Sequence, residues 1–331
     1  MYSLYVNISP EQLPIIYRKE YNVKFFGLER LHPFDAGKWG NIFKMLNDRG
    51  LVTKKTVVVP NEAKKAHLLM VHKKKYLKSL KCSFTVAGIA EVAPLVLVPN
   101  YFVQKAYLRP MRYQTGGSIL AGKLALDRGW AINIGGGFHH CSASKGGGFC
   151  VYADITLLIK FLFYHFPKKV QKVLIVDLDA HQGNGYEHDF KDNDDIYIMD
   201  VYNKWIYPRD VNVKGAIRKN VPLDFFTEDE EYLKLIRKSL AEVFEEFSPH
   251  LIVYNAGTDV LNGDKLGGLS ISEYGILKRD EYVFQEATMR SIPIVMLTSG
   301  GYLRKSARVT ANSIINLYDV GLINGPQEYF F

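Results

Sequence analysis

Along this chain the apolar positions switch between two periods, and the switches lay out the elements. Short apolar or β-branched runs read as buried strands at 21–26, 57–59, 95–98, 130–134, 173–176, 196–199, 251–255 and 293–297. Between them, apolar residues spaced by three and four predict helices over 36–47, 62–80, 115–128, 152–166, 229–247 and 273–290, with a closing helix that ends near 318. Strand and helix alternate throughout, which predicts an α/β fold whose parallel sheet is covered on both faces. No linker, internal repeat or low-complexity run interrupts the pattern, so residues 1–331 are expected to form a single domain.

Composition changes this picture little. Hydrophobic residues make up 47% and charged residues 23%, as in ordinary globular proteins. No apolar run reaches the roughly 18 residues a membrane span needs, and the first residues lack the charged and hydrophobic regions of a secretory signal. Cys82, Cys141 and Cys150 have neither metal-ligand spacing nor an even count for disulfides, which points to an intracellular compartment, nucleus or cytoplasm. The net charge of +8 admits acidic partners. The basic residues nevertheless read as scattered, the run Lys73-Lys74-Lys75 as a solvated helix face, and no nucleic-acid-binding motif is present.

The candidate chemistry sits where strands end. The stretch V-L-I-V-D-L-D-A-H-Q-G-N-G carries Asp177, Asp179 and His181 on one parity, so an extended backbone points all three to one side. Burying two carboxylates and an imidazole without compensation costs several kcal/mol, and a bound cation is the simplest compensation. Three further strand-end loops bring His139 and His140 after three glycines, Asp259 after Y-N-A-G-T, and Tyr302 after T-S-G-G. Carboxyl ends of parallel strands share one edge of a sheet, so these loops can converge. Two Asp and one His would leave an open position on zinc, the requirement for a catalytic centre. The histidine pair could then exchange protons, and Tyr302 could donate a hydrogen bond to a developing oxyanion. In the polar loop L-H-P-F-D, His32 is a candidate pocket residue.

With these motifs assembled, the chain resembles the histone deacetylase family, and most closely its class IV branch. The resemblance runs from about 21 to 322 through L-H-P-F-D-A-G-K-W-G, Q-T-G-G, N-I-G-G-G-F-H-H-C-S, G-G-G-F-C-V-Y-A-D-I-T, D-L-D-A-H-Q-G-N-G, Y-N-A-G-T-D and T-S-G-G-Y. It implies a single-domain, three-layer arginase-like α/β fold with a mostly parallel eight-stranded sheet. It also implies zinc-dependent hydrolysis of N6-acyl-lysine in histones or other proteins, by water activated on the metal. Asp179, His181 and Asp259 match the zinc ligands, His139 and His140 the acid-base pair with Asp177 behind His139, and Tyr302 the carbonyl-polarising tyrosine. Gly148, Phe149 and Tyr207 match the walls of the acyl-lysine tunnel. A monovalent cation, K+, is implied near Asp177, Asp179 and Asp200.

Asn184 departs from the aspartate that many family members place behind the second histidine, an exchange shared with class IV. A neutral amide stabilises an imidazolium less than a carboxylate does. Class IV resemblance adds long-chain fatty-acyl lysine to acetyl-lysine as a substrate, with the acyl cavity expected near the loops 32–38 and 135–142. Two alternatives share these motifs: an acylpolyamine amidohydrolase, which has the same chemistry behind a different mouth, and a weakly active binding scaffold. A two-metal ureohydrolase is disfavoured, because Gly183 stands where a second carboxylate should follow D-A-H.

Overall fold

A computed structural model describes residues 4–24 and 35–323. Seven strands form one sheet there: β1 (Ile15–Ile16), β2 (Trp130–Asn133), β3 (Val173–Asp177), β4 (Ile196–Asn203), β5 (Lys219–Leu223), β6 (Leu251–Asn255) and β7 (Ile294–Leu297). The order is β1-β2-β7-β6-β3-β4-β5, and every neighbouring pair is parallel. Among the described residues the sheet thus has seven strands where eight were expected. The helices are α1 (Lys38–Asp48), α2 (Lys65–Leu68), α3 (Lys74–Ser79), α4 (Ser83–Ala90), α5 (Asn100–Val103), α6 (Arg109–Arg128), α7 (Asp154–His165), α8 (Asn184–Phe190), α9 (Asp229–Glu246), α10 (Glu273–Met289) and α11 (Ser306–Asp319).

The period of two along each strand sorts the core into two layers. Leu174 and Val176 of β3, with Ile252 and Tyr254 of β6, pack with Ile236, Phe284 and Ile314 from α9, α10 and α11. Their neighbours Val173, Ile175, Leu251 and Val253 face Leu120 and Leu124 of α6 and Leu158 and Leu162 of α7. Each such side chain contributes about 1.5–3 kcal/mol by leaving water. Both faces of the central strands are therefore closed, and only their ends are open for chemistry.

Several elements differ from the pattern, each for a tertiary reason. Over 21–24 no strand forms: residues Lys19–Tyr21 make a 3-10 turn, and Tyr21 is buried with its hydroxyl donating to Asn133 Oδ1 at 2.7 Å, while the rest of the expected strand, Phe25 and Phe26, lies outside the described residues. The edge strand is instead β1, to which Val58 adds only a single bridge at Ile16. The helix expected over 62–80 breaks into α2 and α3, because buried His72 accepts from Ala153 N at 3.1 Å and Lys73 N donates to Ala143 O at 3.0 Å. The run at 95–98 is no strand either. Pro94 and Pro99 bracket it, and residues Ala93–Leu97 form a surface 3-10 helix. Helix α6 starts six residues ahead of its expected start at 115, carrying Gly116 and Gly117 within it. A Cβ on Gly116 would lie 2.0 Å from Asn61 O, and one on Gly117 1.9 Å from the Tyr21 hydroxyl, so close approach explains both. Strand β5, which contains Pro222, lies at the sheet edge and gave no signal.

Candidate active site

Strands β2, β7, β6 and β3 are neighbours in the sheet, and their carboxyl ends deliver the four loops to one place. Beyond β3 the chain leaves the extended conformation, so Asp179 and His181 are set by loop hydrogen bonds rather than by strand parity. His181 Nδ1 lies 3.0 Å from both Asp179 Oδ1 and Asp259 Oδ2. One ligand atom from each of these three buried residues falls within 4.8 Å of the others. The outer faces of the carboxylates are held by backbone: Ala180 N donates to Asp259 Oδ1 at 2.9 Å and Gly300 N to Asp179 Oδ2 at 3.1 Å. Ser299 Oγ adds a second donor to Asp179 Oδ2 at 3.1 Å. A Cβ on Gly300 would lie 2.5 Å from an oxygen of each carboxylate, which is why glycine stands there.

The electrostatics of this triangle call for a cation. Burial lowers the pKa of His181, yet its hydrogen bonds to Asp179 and Asp259 outweigh this and hold it at about 10. Burial and then the charge of Asp179 push Asp259 up to about 7. Burial likewise opposes ionisation of Asp179, but the facing His139 and His181 hold its carboxyl well below the usual range. A proton on His181 is one way to balance two buried carboxylates. Two oxygens and an imidazole nitrogen converging on one point are also a donor set that suits zinc, so the residues fit the expected metal.

His139 and His140 approach the triangle from β2, with ring centroids 4.1 Å apart. Their glycine loop is clamped from behind: Asp154 at the start of α7 accepts from Gly137 N at 2.9 Å and Phe138 N at 2.8 Å, and Gln114 Oε1 accepts from Gly136 N at 3.0 Å. His139 Nδ1 lies 2.9 Å from Asp177 Oδ2, a carboxylate that also accepts from the Tyr186 hydroxyl at 2.8 Å. Although burial opposes it, the negative charges of Asp179 and Asp177 raise the pKa of His139 to about 9. His140 behaves in the opposite way. Burial first, then the neighbouring His139 and His181, hold its pKa well below the usual imidazole value. Its Nδ1 faces Asn184 Oδ1 at 3.0 Å, and an amide oxygen accepts only, so the proton sits on Nδ1 and Nε2 is the free acceptor.

One cavity joins these groups. It is lined on the metal side by His139, His140, Asp179 and Tyr302, and by Gly148 and Phe149 on the wall. Val23, Ala36, Trp39, Met111 and Phe138 add an apolar part to its lining. Part of the loops expected to line it, 32–38 and 135–142, does so through Ala36, Gly136, Gly137 and Phe138. The Tyr207 ring stands edge-on to His140 with centroids 4.8 Å apart and is half exposed. Gly148 has a positive φ of 49°, and a Cβ there would lie 2.4 Å from His140 Cδ2. His32 lies outside the described residues.

Three supporting residues were not foreseen. Lys38 is fully buried, and its ammonium donates to the carbonyls of Thr298, Ser299 and Gly300 at 3.3, 2.9 and 2.5 Å, directly behind Tyr302. A signal existed, since Lys38, Ile42 and Leu46 fall four apart on the buried face of α1. Asp264 accepts from Tyr302 N at 2.8 Å, and Asp210 accepts from Asn184 Nδ2 at 3.4 Å. These two acids come from irregular loops and had no local signature.

Comparison with known proteins then decides the family. The Histone deacetylase domain family matches residues 32–318. The chain belongs to the histone deacetylase family. It is 51% identical over 325 residues to Histone deacetylase 2 of Arabidopsis thaliana, covering 98% of this chain and 84% of that one. To human Histone deacetylase 1 it is 29% identical over 294 residues, 84% of this chain and 59% of that protein. Among solved structures, the HDA15 HD domain superposes with a TM-score of 0.76 at 18% identity, over 96% of this chain and 92% of that one. A histone deacetylase homologue from Aquifex aeolicus does so with a TM-score of 0.70 at 22% identity, over 93% and 84%. The histone deacetylase fold, arginase-like with a parallel sheet, is thus the fold of this chain, and the family is one of hydrolases.

Proposed function

We propose that this histone deacetylase family member hydrolyses N6-acyl-lysine side chains of proteins, histones or others, with zinc held by Asp179, His181 and Asp259. The observation that carries the reading is a cavity lined by Asp179 of that donor triangle, by His140, whose imidazole is held neutral, and by Tyr302. When bound, zinc supplies Lewis acidity that polarises an amide carbonyl and lowers the pKa of a water molecule to about 7.

The chain's own groups do the rest. His140 Nε2 takes the proton of the attacking water, since Nδ1–H is committed to Asn184. As the new C–O bond forms, the Tyr302 hydroxyl donates to the developing oxyanion. When the C–N bond breaks, the proton on Nε2 passes to the leaving nitrogen, giving an amine and a carboxylic acid, and the acid's remaining proton then moves to the amine to leave a carboxylate and an ammonium. His139 keeps its Nδ1 on Asp177, which orients its ring beside the reaction centre, so of the expected acid-base pair His140 carries both proton transfers and His139 supports it. Lys38 and Asp264 seat the loop that carries Tyr302. Gly148, Phe149 and Tyr207 enclose the aliphatic lysine stem.

The finer assignments follow. Asn184 in place of a carboxylate favours the class IV branch, and the apolar lining by Val23, Trp39 and Met111 favours long-chain fatty-acyl lysine beside acetyl-lysine. A K+ ion near Asp177, Asp179 and Asp200 would relieve a second acidic cluster. There Asp200 Oδ1 and Glu187 Oε1 are buried without hydrogen-bond partners, and burial with the charge of Asp177 pushes the Asp200 carboxyl well above its usual range. The chain acts as one intracellular catalytic domain. Release of lysine from acetyl- and myristoyl-peptides, with zinc content measured alongside, tests the reading. Turnover undiminished in both Asp259→Ala and Tyr302→Phe refutes it, and equal or faster cleavage of acetyl-lysine refutes the long-chain reading.

A further inference from the structure

The charge of this protein is not scattered. Residues 62–112 hold ten Lys and Arg against two Glu, an excess equal to the +8 of the whole chain, so the remainder is neutral. The fold gathers this excess onto one face. Lys64, Lys65, Lys74, Lys78 and Lys81, from α2, α3 and the turns beside them, line a single groove, and all five are exposed. The acid of that groove, Glu62, is engaged by Arg112 at 2.7 Å and Arg109 at 3.5 Å. None of the five lysines forms an ion pair among the described residues.

Beside the groove stands an apolar edge. Leu97 is 88% exposed, Phe84 72% and Tyr101 70%, with Val96 also in solvent. The two features are stitched together: Asn100, next to Tyr101, lines the groove and donates to Leu80 O at 3.2 Å, while Ser83 Oγ, next to Phe84, donates to Val98 O at 2.7 Å. Large apolar side chains held in water beside unpaired lysines are the pattern of a surface that enters a lipid headgroup layer.

We propose that this face docks the protein on anionic phospholipid bilayers, with the lysines on the headgroups and Phe84, Val96, Leu97 and Tyr101 in the acyl boundary. A nucleic acid would use the charge but not the aliphatic pair, because Val96 and Leu97 have no face on which a base can stack. An acidic protein likewise leaves the exposed apolar edge unexplained. The same segment bounds the catalytic cavity: Val92 and Leu95 line it, while Val96 and Leu97 stand outside. Docking therefore places a wall of the cavity against the bilayer, where fatty-acyl lysines are anchored. That consequence rests on the long-chain reading above; the docking does not.

Co-sedimentation of the full chain with phosphatidylcholine vesicles, with and without about 30% phosphatidylserine, tests it without any substrate. Binding is expected only to the anionic vesicles and is expected to weaken with salt. At about fivefold per lysine, the triple change Lys74→Gln, Lys78→Gln, Lys81→Gln should lower partitioning by about a hundredfold. Leu97→Ser with Phe84→Ser should lower it by about tenfold or more at unchanged charge. All five positions are at the surface, and circular dichroism checks that the variants are folded. Failure of the wild-type chain to bind anionic vesicles overturns the proposal. So does wild-type binding by the Leu97→Ser, Phe84→Ser variant, or retention by duplex DNA in place of vesicles.

Discussion

Replacing Asn184 by Asp puts a charge beside the proposed base, and the structure sets its size and sign. The introduced carboxylate would face His140 Nδ1, now 3.0 Å from the amide oxygen. Two unit charges with centres about 4 Å apart interact by about 4 kcal/mol at an effective dielectric constant of 20. That corresponds to about 3 pKa units favouring the imidazolium. Asp210 reduces the effect, because its carboxylate lies 3.4 Å from Asn184 Nδ2 and would repel a second anion there. A net rise of about 1–2 units is expected for His140 once this repulsion is included. His140 must be neutral to accept a proton, and its pKa is held low by burial, His139 and His181. Raising that pKa moves the acidic limb of the kcat/KM profile to higher pH, so the variant loses activity below neutrality first. The assay is the pH dependence of kcat/KM on an acylated lysine peptide, for Asn184→Asp alone and together with Asp210→Asn. Removing the Asp210 charge should enlarge the shift. An acidic limb that stays in place in both variants would refute the assignment of His140 as the base and of Asn184 as its regulator.

Asp259→Ala removes one of three metal donors, and both zinc content by elemental analysis and turnover should collapse, the latter by roughly 10³ or more as Lewis-acid stabilisation of several kcal/mol is lost. Tyr302→Phe should leave zinc content unchanged and lower kcat by about 10²–10³, the cost of one oxyanion donor; a change confined to KM would argue for a binding role instead. Lys38→Met strips the donors from three carbonyls behind Tyr302 and should cost roughly 2–4 kcal/mol in urea unfolding, with kcat falling in parallel. Burial lowers the pKa of Lys38 to about 8 from 10.5, so between those values the unfolded chain binds the extra proton. That contribution makes stability rise with pH across the window, and unfolding of Lys38→Met should lack it.

The alternation of periods, the strand-end placement of the motifs and the family were all legible in the linear chain, because buried strands and amphipathic helices impose local spacings. The strands β2, β3, β6 and β7 each end where polar residues interrupt an apolar run, so the sequence alone places the loops bearing His139, Asp179, Asp259 and Tyr302 on one edge. Where local pattern and tertiary demand conflicted, the pattern misled. The β-branched run near 95–98 looks like a strand, but it has prolines at its flanks and no neighbour to pair with, so it became a surface turn. The regular spacing over 62–80 was overridden by two hydrogen bonds to distant loops.

What the chain determined by itself is therefore the list of chemical groups and their order along one edge of a sheet, since both follow from short-range periodicity. The tertiary structure alone decided how those groups act on one another. It placed Lys38 under the Tyr302 loop across a separation of about 260 residues and Asp210 behind Asn184. It also turned five lysines from one basic stretch of the sequence into the lining of a single groove. Charge interactions and burial depend on distance in space, and neither is encoded in the spacing of residues along a strand or helix.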